Sequence, residues 1–113
     1  IMPSLVGSEM CIRDRDYFEL ECAVEEWAKE KGILDNATTI QQAIKTQEEL
    51  IELLCAIDND DREEIIDAIG DIMVTLIIQA KMQSVTIEEC LESAYNVISK
   101  RTGKMVNGLF VKD

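Results

Sequence analysis

The sequence predicts an all-α fold, a four-helix bundle-like domain with a short C-terminal hairpin or arm. Three observations carry this. Leu, Ile, Ala and Glu dominate, with one Pro and five Gly in 113 residues, which is helix-forming composition. Apolar residues recur at helical spacing along most of the chain. Short clusters of cap-forming polar residues separate those stretches.

The first helix is expected over Asp16 to Lys31, with Phe18, Cys22 (with Ala23), Glu25/Glu26 and Trp27 approximating an apolar stripe and Gly32 ending it. Asp35 to Thr39 reads as a polar link. A second helix starts at Thr38 or Thr39 and runs to Ile57, its apolar set being Ile40, Ala43, Ile44, Leu50, Ile51, Leu54 and Ile57, with Gln47 among them. Asp58-Asn-Asp-Asp61 makes a turn in which Asp60 or Asp61 caps the third helix, and Glu63 and Glu64 suit the dipole of its first turn. That helix runs to Gln83. Thr86 and Glu89 form a capping box for a fourth helix, Ile87 to Arg101, which stops at Gly103. Met105 to Val111 is apolar around an Asn107-Gly108 step, a hairpin signal.

One domain is expected over residues 16–113. Ile1 to Arg15, IMPSLVGSEMCIRDR, matches neither that pattern nor a signal peptide. The string SLVGSEMCIRDR resembles translated adaptor sequence found in some metagenomic gene models, so residues 1–15 are read as a non-native or disordered segment. The net charge of −12 argues against a nucleic-acid polymer as partner, since that needs a basic surface. No apolar run is long enough to span a membrane. Cys22, Cys55 and Cys90 are far apart, histidine is absent, and zinc spacing is missing. They read as small buried apolar residues in a reducing, cytoplasmic setting.

Ten acidic residues lie between Glu48 and Asp71, against one basic residue, Arg62. At 100° per residue, Glu64, Asp67 and Asp71 fall on one arc of the third helix, and that line turns apolar one turn later. Glu49 and Glu52 flank the apolar stripe of the second helix. The short link makes the two helices antiparallel, so the two acid sets can face each other. Two carboxylates ~5 Å apart repel by ~3 kcal/mol at an effective dielectric of ~20. Hard divalent cations with oxygen ligands relieve such crowding; an ordinary solvated acidic face is the other reading. A calcium loop at Asp58 to Glu63 fails, because Glu63 stands where the required Gly would be.

Glu48-Glu49-Leu50-Ile51-Glu52-Leu53, followed by Asp67-Ala68-Ile69-Gly70-Asp71, resembles the MazG-like all-α nucleoside triphosphate pyrophosphohydrolases, which carry ExxE on one helix and ExxD on the next. Lys45 fits the same pattern. The resemblance covers Phe18 to Asp113, and Gly103 to Lys112 looks like phage-encoded members. One departure stands out: Ala68 occupies the place of the usual Glu three residues before the final Asp. The resemblance implies that Glu49, Glu52 and Asp71 are metal ligands, with Asp67 as the fourth and Glu64 its competitor. It implies Mg²⁺, or Mn²⁺ in its place, and cleavage of a nucleoside or deoxynucleoside triphosphate to the monophosphate and pyrophosphate. Glu49 or Glu52 would serve as catalytic base.

Lys45 reads either as a phosphate contact or as an i,i+4 partner of Glu49. Lys100, Arg101 and Lys104 either neutralise phosphate oxygens or sit favourably at a helix C-terminus. Trp27 either stacks on the base, as an aromatic of the first helix does in related proteins, or packs in the core. Asn96, with Tyr95, is placed near sugar or base. A homo-oligomer, dimer or tetramer, is expected on two grounds: related proteins are such, and the apolar surround of Ile72 to Ile78 exceeds what one small chain covers. Two other functions compete with the broad pyrophosphohydrolase: a non-catalytic acidic helical binding module, which Ala68 favours, and a dUTPase-type enzyme of the same fold.

Overall fold

The computed structural model describes residues 15–113, so the reading of residues 1–15 lies, Arg15 apart, outside the described residues. The elements in order are α1 (Tyr17–Glu30), α2 (Ile33–Asn36), α3 (Thr39–Asp58), α4 (Arg62–Met82), α5 (Ile87–Ile98), β1 (Gly103–Val106) and β2 (Leu109–Lys112). The fold is all-α with a terminal hairpin, as the composition and periodicity predict. The one-turn α2, between Gly32 and Ala37, stands where a polar link was expected.

Each long helix begins on a side-chain cap. Asp16 and Glu19 form a reciprocal box on α1, and Thr38 with Gln41 does the same on α3. Asp61, not Asp60, caps α4 by accepting from the Glu64 N–H at 3.2 Å. Thr86 accepts from the Glu89 N–H, but the Glu89 carboxylate turns to the Thr86 hydroxyl and not its backbone, so only half of the expected box forms. The hairpin is closed by Asn107 and Gly108, both at positive φ, as a tight two-residue turn needs.

Helices α3 and α4 pack antiparallel through a polar spine and a run of small residues. Gln79 Nε2 donates to the Thr39 carbonyl at 2.9 Å, Gln42 Nε2 to the Thr75 carbonyl at 3.3 Å, and the Thr46 hydroxyl to the Thr75 hydroxyl at 2.9 Å. Thr75 in turn donates to the Ile72 carbonyl at 2.7 Å. The buried apolar set is Ala28, Ala56, Ala68, Ile77, Ile78 and Ala80. Helix α1 lies against α4. Helix α5 is tied in at its first turn, where the Ile87 N–H donates to the buried Glu21 carboxylate at 3.1 Å. Beyond that turn α5 and the hairpin are exposed throughout.

Four expectations are corrected here. On α1 the inward face carries Glu21, Val24 and Ala28, while Phe18 and Cys22 point outward, so the packed face lies to one side of the expected stripe. Cys22, Cys55 and Cys90 are exposed free thiols, because each sits on a helix flank that no described element covers. The run Ile72–Ile78 is largely covered by α1 and α3, with Leu76 alone exposed. The uncovered apolar surface lies instead on α3, whose Ile40, Ile44, Leu50, Ile51, Leu54 and Ile57 are all exposed. Among the described residues no helix is long and apolar enough to cross a membrane.

Candidate functional site

The α3–α4 seam decides which acids meet. Glu49 lies seven residues after Gln42 and seven before Ala56, and these three are the buried residues of α3. A residue on that line must face α4, so Glu49 is carried into the seam with a tenth of its side chain exposed. Its cation is Lys45, one turn earlier, with Nζ 3.4 Å from Glu49 Oε1 and 4.0 Å from Glu48. Both carboxylates, led by the Glu49 hydrogen bond, hold the Lys45 ammonium above its usual pKa. Of the two roles open to Lys45, the structure shows the ion pair.

Glu52 stands one turn further on, open to solvent. Its carboxyl is pushed above the usual range, first by a hydrogen bond with Glu49 that forms when one of the two carries a proton, then by the Glu49 charge. Asp71 of α4 also contributes to that rise. Asp71 itself is half-buried; burial raises its pKa first, followed by the charges of Asp67 and Glu49. Glu49, Glu52, Asp67 and Asp71 therefore share one electrostatic field across the two helices. Between the two acids proposed as fourth ligand, Asp67 is the one whose charge reaches Asp71. Glu64 is exposed in the first turn of α4, its N–H held by Asp61.

These donors suit a hard divalent cation by chemistry: all are carboxylate oxygens, and among the described residues Lys45 is the only cation paired with them. The side chains as they stand do not close around one point, and no three acidic or thiol groups among the described residues reach the spacing of a single ion's shell. Ala68, at the position of the missing Glu, is buried against α3, so Asp67 is the neighbouring acid left facing outward.

Next to the acids lies a cleft of about 340 Å³ between α1 and α4, lined by Leu20, Ala23, Val24, Trp27, Asp71 and Val74. Its size falls in the range of small-molecule sites. The walls are apolar, one is an indole 47% exposed, and Asp71 stands among them. Trp27 thus does not fill the core. Leu20, Ala23, Val24 and Trp27 fall at i, i+3, i+4 and i+7, a helical line that shares Ala23 and Trp27 with the expected stripe and adds Leu20 and Val24 to it.

The remaining predicted residues are elsewhere in this chain. Asn96 shares a separate groove on α5 with Glu88, Glu89, Glu92 and Ser93. Lys100, Arg101 and Lys104 are exposed at the end of α5 and on β1, and among the described residues none makes an ion pair with the acidic cluster.

A family model described as phosphoribosyl-ATP pyrophosphohydrolase matches residues 23–96. The match spans Trp27, Lys45, all the acids above and Asn96, and it stops before the basic residues and the hairpin. A segment of 62 residues is 32% identical to an uncharacterized 18.2 kDa protein from the rep-hol intergenic region of Haemophilus phage HP1 (strain HP1c1), covering 55% of this chain and 38% of that protein. The chain thus spans well under half the length of that curated relative. No solved structure matches the chain.

Proposed function

The chain belongs to the phosphoribosyl-ATP pyrophosphohydrolase family, within the MazG-like all-α superfamily, and from that premise we propose that it hydrolyses a nucleoside triphosphate between the α and β phosphates, releasing pyrophosphate. One observation carries the reading: acids of two antiparallel helices share a field, and one of them, Asp71, also lines an apolar cleft beside an open indole. That arrangement suits a molecule with a polyanionic end and a flat aromatic end.

Glu49, Glu52, Asp67 and Asp71 would hold Mg²⁺, or Mn²⁺ in its place, which when bound supplies positive charge to the phosphate oxygens and acidifies a water. Trp27 offers a stacking face to the base, with Leu20, Val24 and Val74 excluding water around it. Glu52 is the better general base of the two glutamates. It is exposed and its carboxyl already takes a proton more readily than usual, whereas Glu49 is tied to Lys45. Lys45, paired with Glu49 at 3.4 Å, orients that carboxylate. The family's printed name adds phosphoribosyl-ATP as a substrate to be tested, since it carries the same triphosphate. Lys100, Arg101 and Lys104, with Asn96, remain proposed contacts to phosphate and sugar.

The test incubates the purified chain and Mg²⁺ with ribo- and deoxyribonucleoside triphosphates and phosphoribosyl-ATP, resolving monophosphate and pyrophosphate. Glu52→Gln is expected to lower turnover on the order of 10²-fold or more. No turnover on any substrate, or an unchanged rate in Glu52→Gln, refutes the enzyme. The buried Ala68 favours the binding-module reading, which is selected if a non-hydrolysable nucleotide quenches Trp27 fluorescence without any turnover. Activity confined to deoxyuridine triphosphate selects the dUTPase-type enzyme.

A further inference from the structure

Among the described residues, side chains tie α3 to α4 through three hydrogen bonds, and one of them stands next to the acids. The Thr46 hydroxyl donates to the Thr75 hydroxyl at 2.9 Å, which donates in turn to the Ile72 carbonyl at 2.7 Å. Thr75 is 4% exposed, and it is the one polar side chain in the stretch Ile72-Met-Val-Thr-Leu-Ile-Ile78. Replacing a bonded polar pair by an apolar pair of the same shape is close to neutral for stability. Cohesion alone therefore does not call for two hydroxyls here; what they add is direction.

The direction bears on the acids. At 1.5 Å rise per residue, Glu49 lies about 4.5 Å along α3 from Thr46, and Asp71 about 6 Å along α4 from Thr75. The helices are antiparallel, so both displacements point the same way. The hydroxyl bond thus sets the two acidic residues within about 1.5 Å of one level, on facing helices. The other two ties act from farther off, Gln42 about 10 Å from Glu49 and Gln79 about 12 Å from Asp71 along their helices. The alanines buried on this pair, Ala56 and Ala68, attract without direction, and that attraction changes little when one helix slips along the other. A hydrogen bond weakens steeply once its distance and angle leave a narrow range. Repulsion among Glu49, Glu52, Asp67 and Asp71 meanwhile pushes the helices apart at this end.

We propose that the Thr46–Thr75 hydroxyl pair is a positioning device for the cation site. It fixes the register of α3 on α4, and with it the separation of Glu49 and Asp71. Neither hydroxyl is a ligand; both act through the acids one turn away. This role rests on the metal-binding reading above, and the experiment separates the two.

Mn²⁺ binding to the metal-free full chain is measured by electron paramagnetic resonance of the free ion, with folding followed by circular dichroism. The double variant Thr46→Val with Thr75→Val is expected to keep the wild-type helix content and midpoint. It is expected to bind Mn²⁺ about tenfold more weakly, the lower end of what groups one step removed from the ligands cost. Thr46→Val alone cuts the bond at a half-buried position, and the same loss is expected there. Thr75→Ser keeps the hydroxyl, gives up the methyl, and is expected to bind as the wild type does. Gln79→Met removes the distant tie to Thr39 and is expected to leave the affinity unchanged. Wild-type affinity in the folded double variant, or in Thr46→Val, overturns the proposal. So does an equal loss in Thr75→Ser or Gln79→Met, which would make packing or general loosening the cause. Absence of Mn²⁺ binding by the wild type overturns the metal reading and this role with it.

Discussion

Removing the Glu21 carboxylate is expected to loosen α5 from the body of the molecule. Glu21 is 4% exposed and accepts from the Ile87 N–H at 3.1 Å, the first residue of α5. The charge therefore sits at the positive end of that helix dipole. A hydrogen bond to a charged group contributes about 1.5–3 kcal/mol and the dipole about 0.3–1 kcal/mol more, less the cost of taking the carboxylate out of water. Tyr17 adds little at 3.5 Å, although burial and then Glu21 raise its phenol pKa. Glu21→Ala is expected to cost about 2–3 kcal/mol, and Glu21→Gln, which keeps an acceptor oxygen, about 1 kcal/mol or less. For a domain this size that is a fall of roughly 10–20 °C in midpoint for the alanine variant. Circular dichroism melts at one fixed protein concentration read the shift, with exposed Glu30→Ala as control. Amide exchange localises it, with Ile87 the expected site of lost protection. A cost within ~0.5 kcal/mol of the control, or unchanged exchange at Ile87, refutes the reasoning.

Thr75→Val keeps the shape of the residue but removes the hydroxyl that bonds both Thr46 and the Ile72 carbonyl; a loss of about 1–2 kcal/mol is expected by urea denaturation. The metal-free protein should lose stability as pH rises. The carboxyls of Glu52 and Asp71 have raised folded-state pKa values, so their contribution is full below the unfolded values and is lost as pH climbs through the folded ones. Melts in chelator should therefore fall in midpoint from the upper carboxylate range toward neutral, and Mg²⁺ should raise the neutral midpoint most. A flat profile in both buffers counts against a shared acidic field.

Much of the fold was legible because the signals were local. Thr38, Asp61, Thr86 and the Asn107-Gly108 step each determine an end or a turn through bonds to residues a few positions away. The inward phase of a helix is a different matter. On α3 the apolar stripe reads as the core, yet α4 packs on the line of Gln42, Glu49 and Ala56, because polar bonds and small side chains fix the close approach. Periodicity shows that an apolar face exists and leaves open what covers it. On α1, Glu21 reads as a surface acid and is buried because its partner is a helix terminus 66 residues away. Of the candidate site, spacing on two helices with a short link brings out Glu49, Glu52, Glu64, Asp67 and Asp71, while the choice of Glu49, Glu52 and Asp71 as ligands is what the family resemblance implies. The cleft needed the correct phase of Leu20, Val24 and Trp27, and the basic tail needed a tertiary path that spacing cannot supply.

The interior of this chain consists mainly of alanines, and among the described residues no large side chain is wholly enclosed. Such an interior leaves little cohesion to one copy alone. If its neighbour supplies the missing apolar cover, gaining structure and gaining a neighbour become a single equilibrium, and the amount of protein present acts as a stabiliser in its own right. Dilution would then unravel the chain instead of releasing folded single copies, so the protein would be self-limiting: ordered where it is abundant and open to proteolysis where it is scarce.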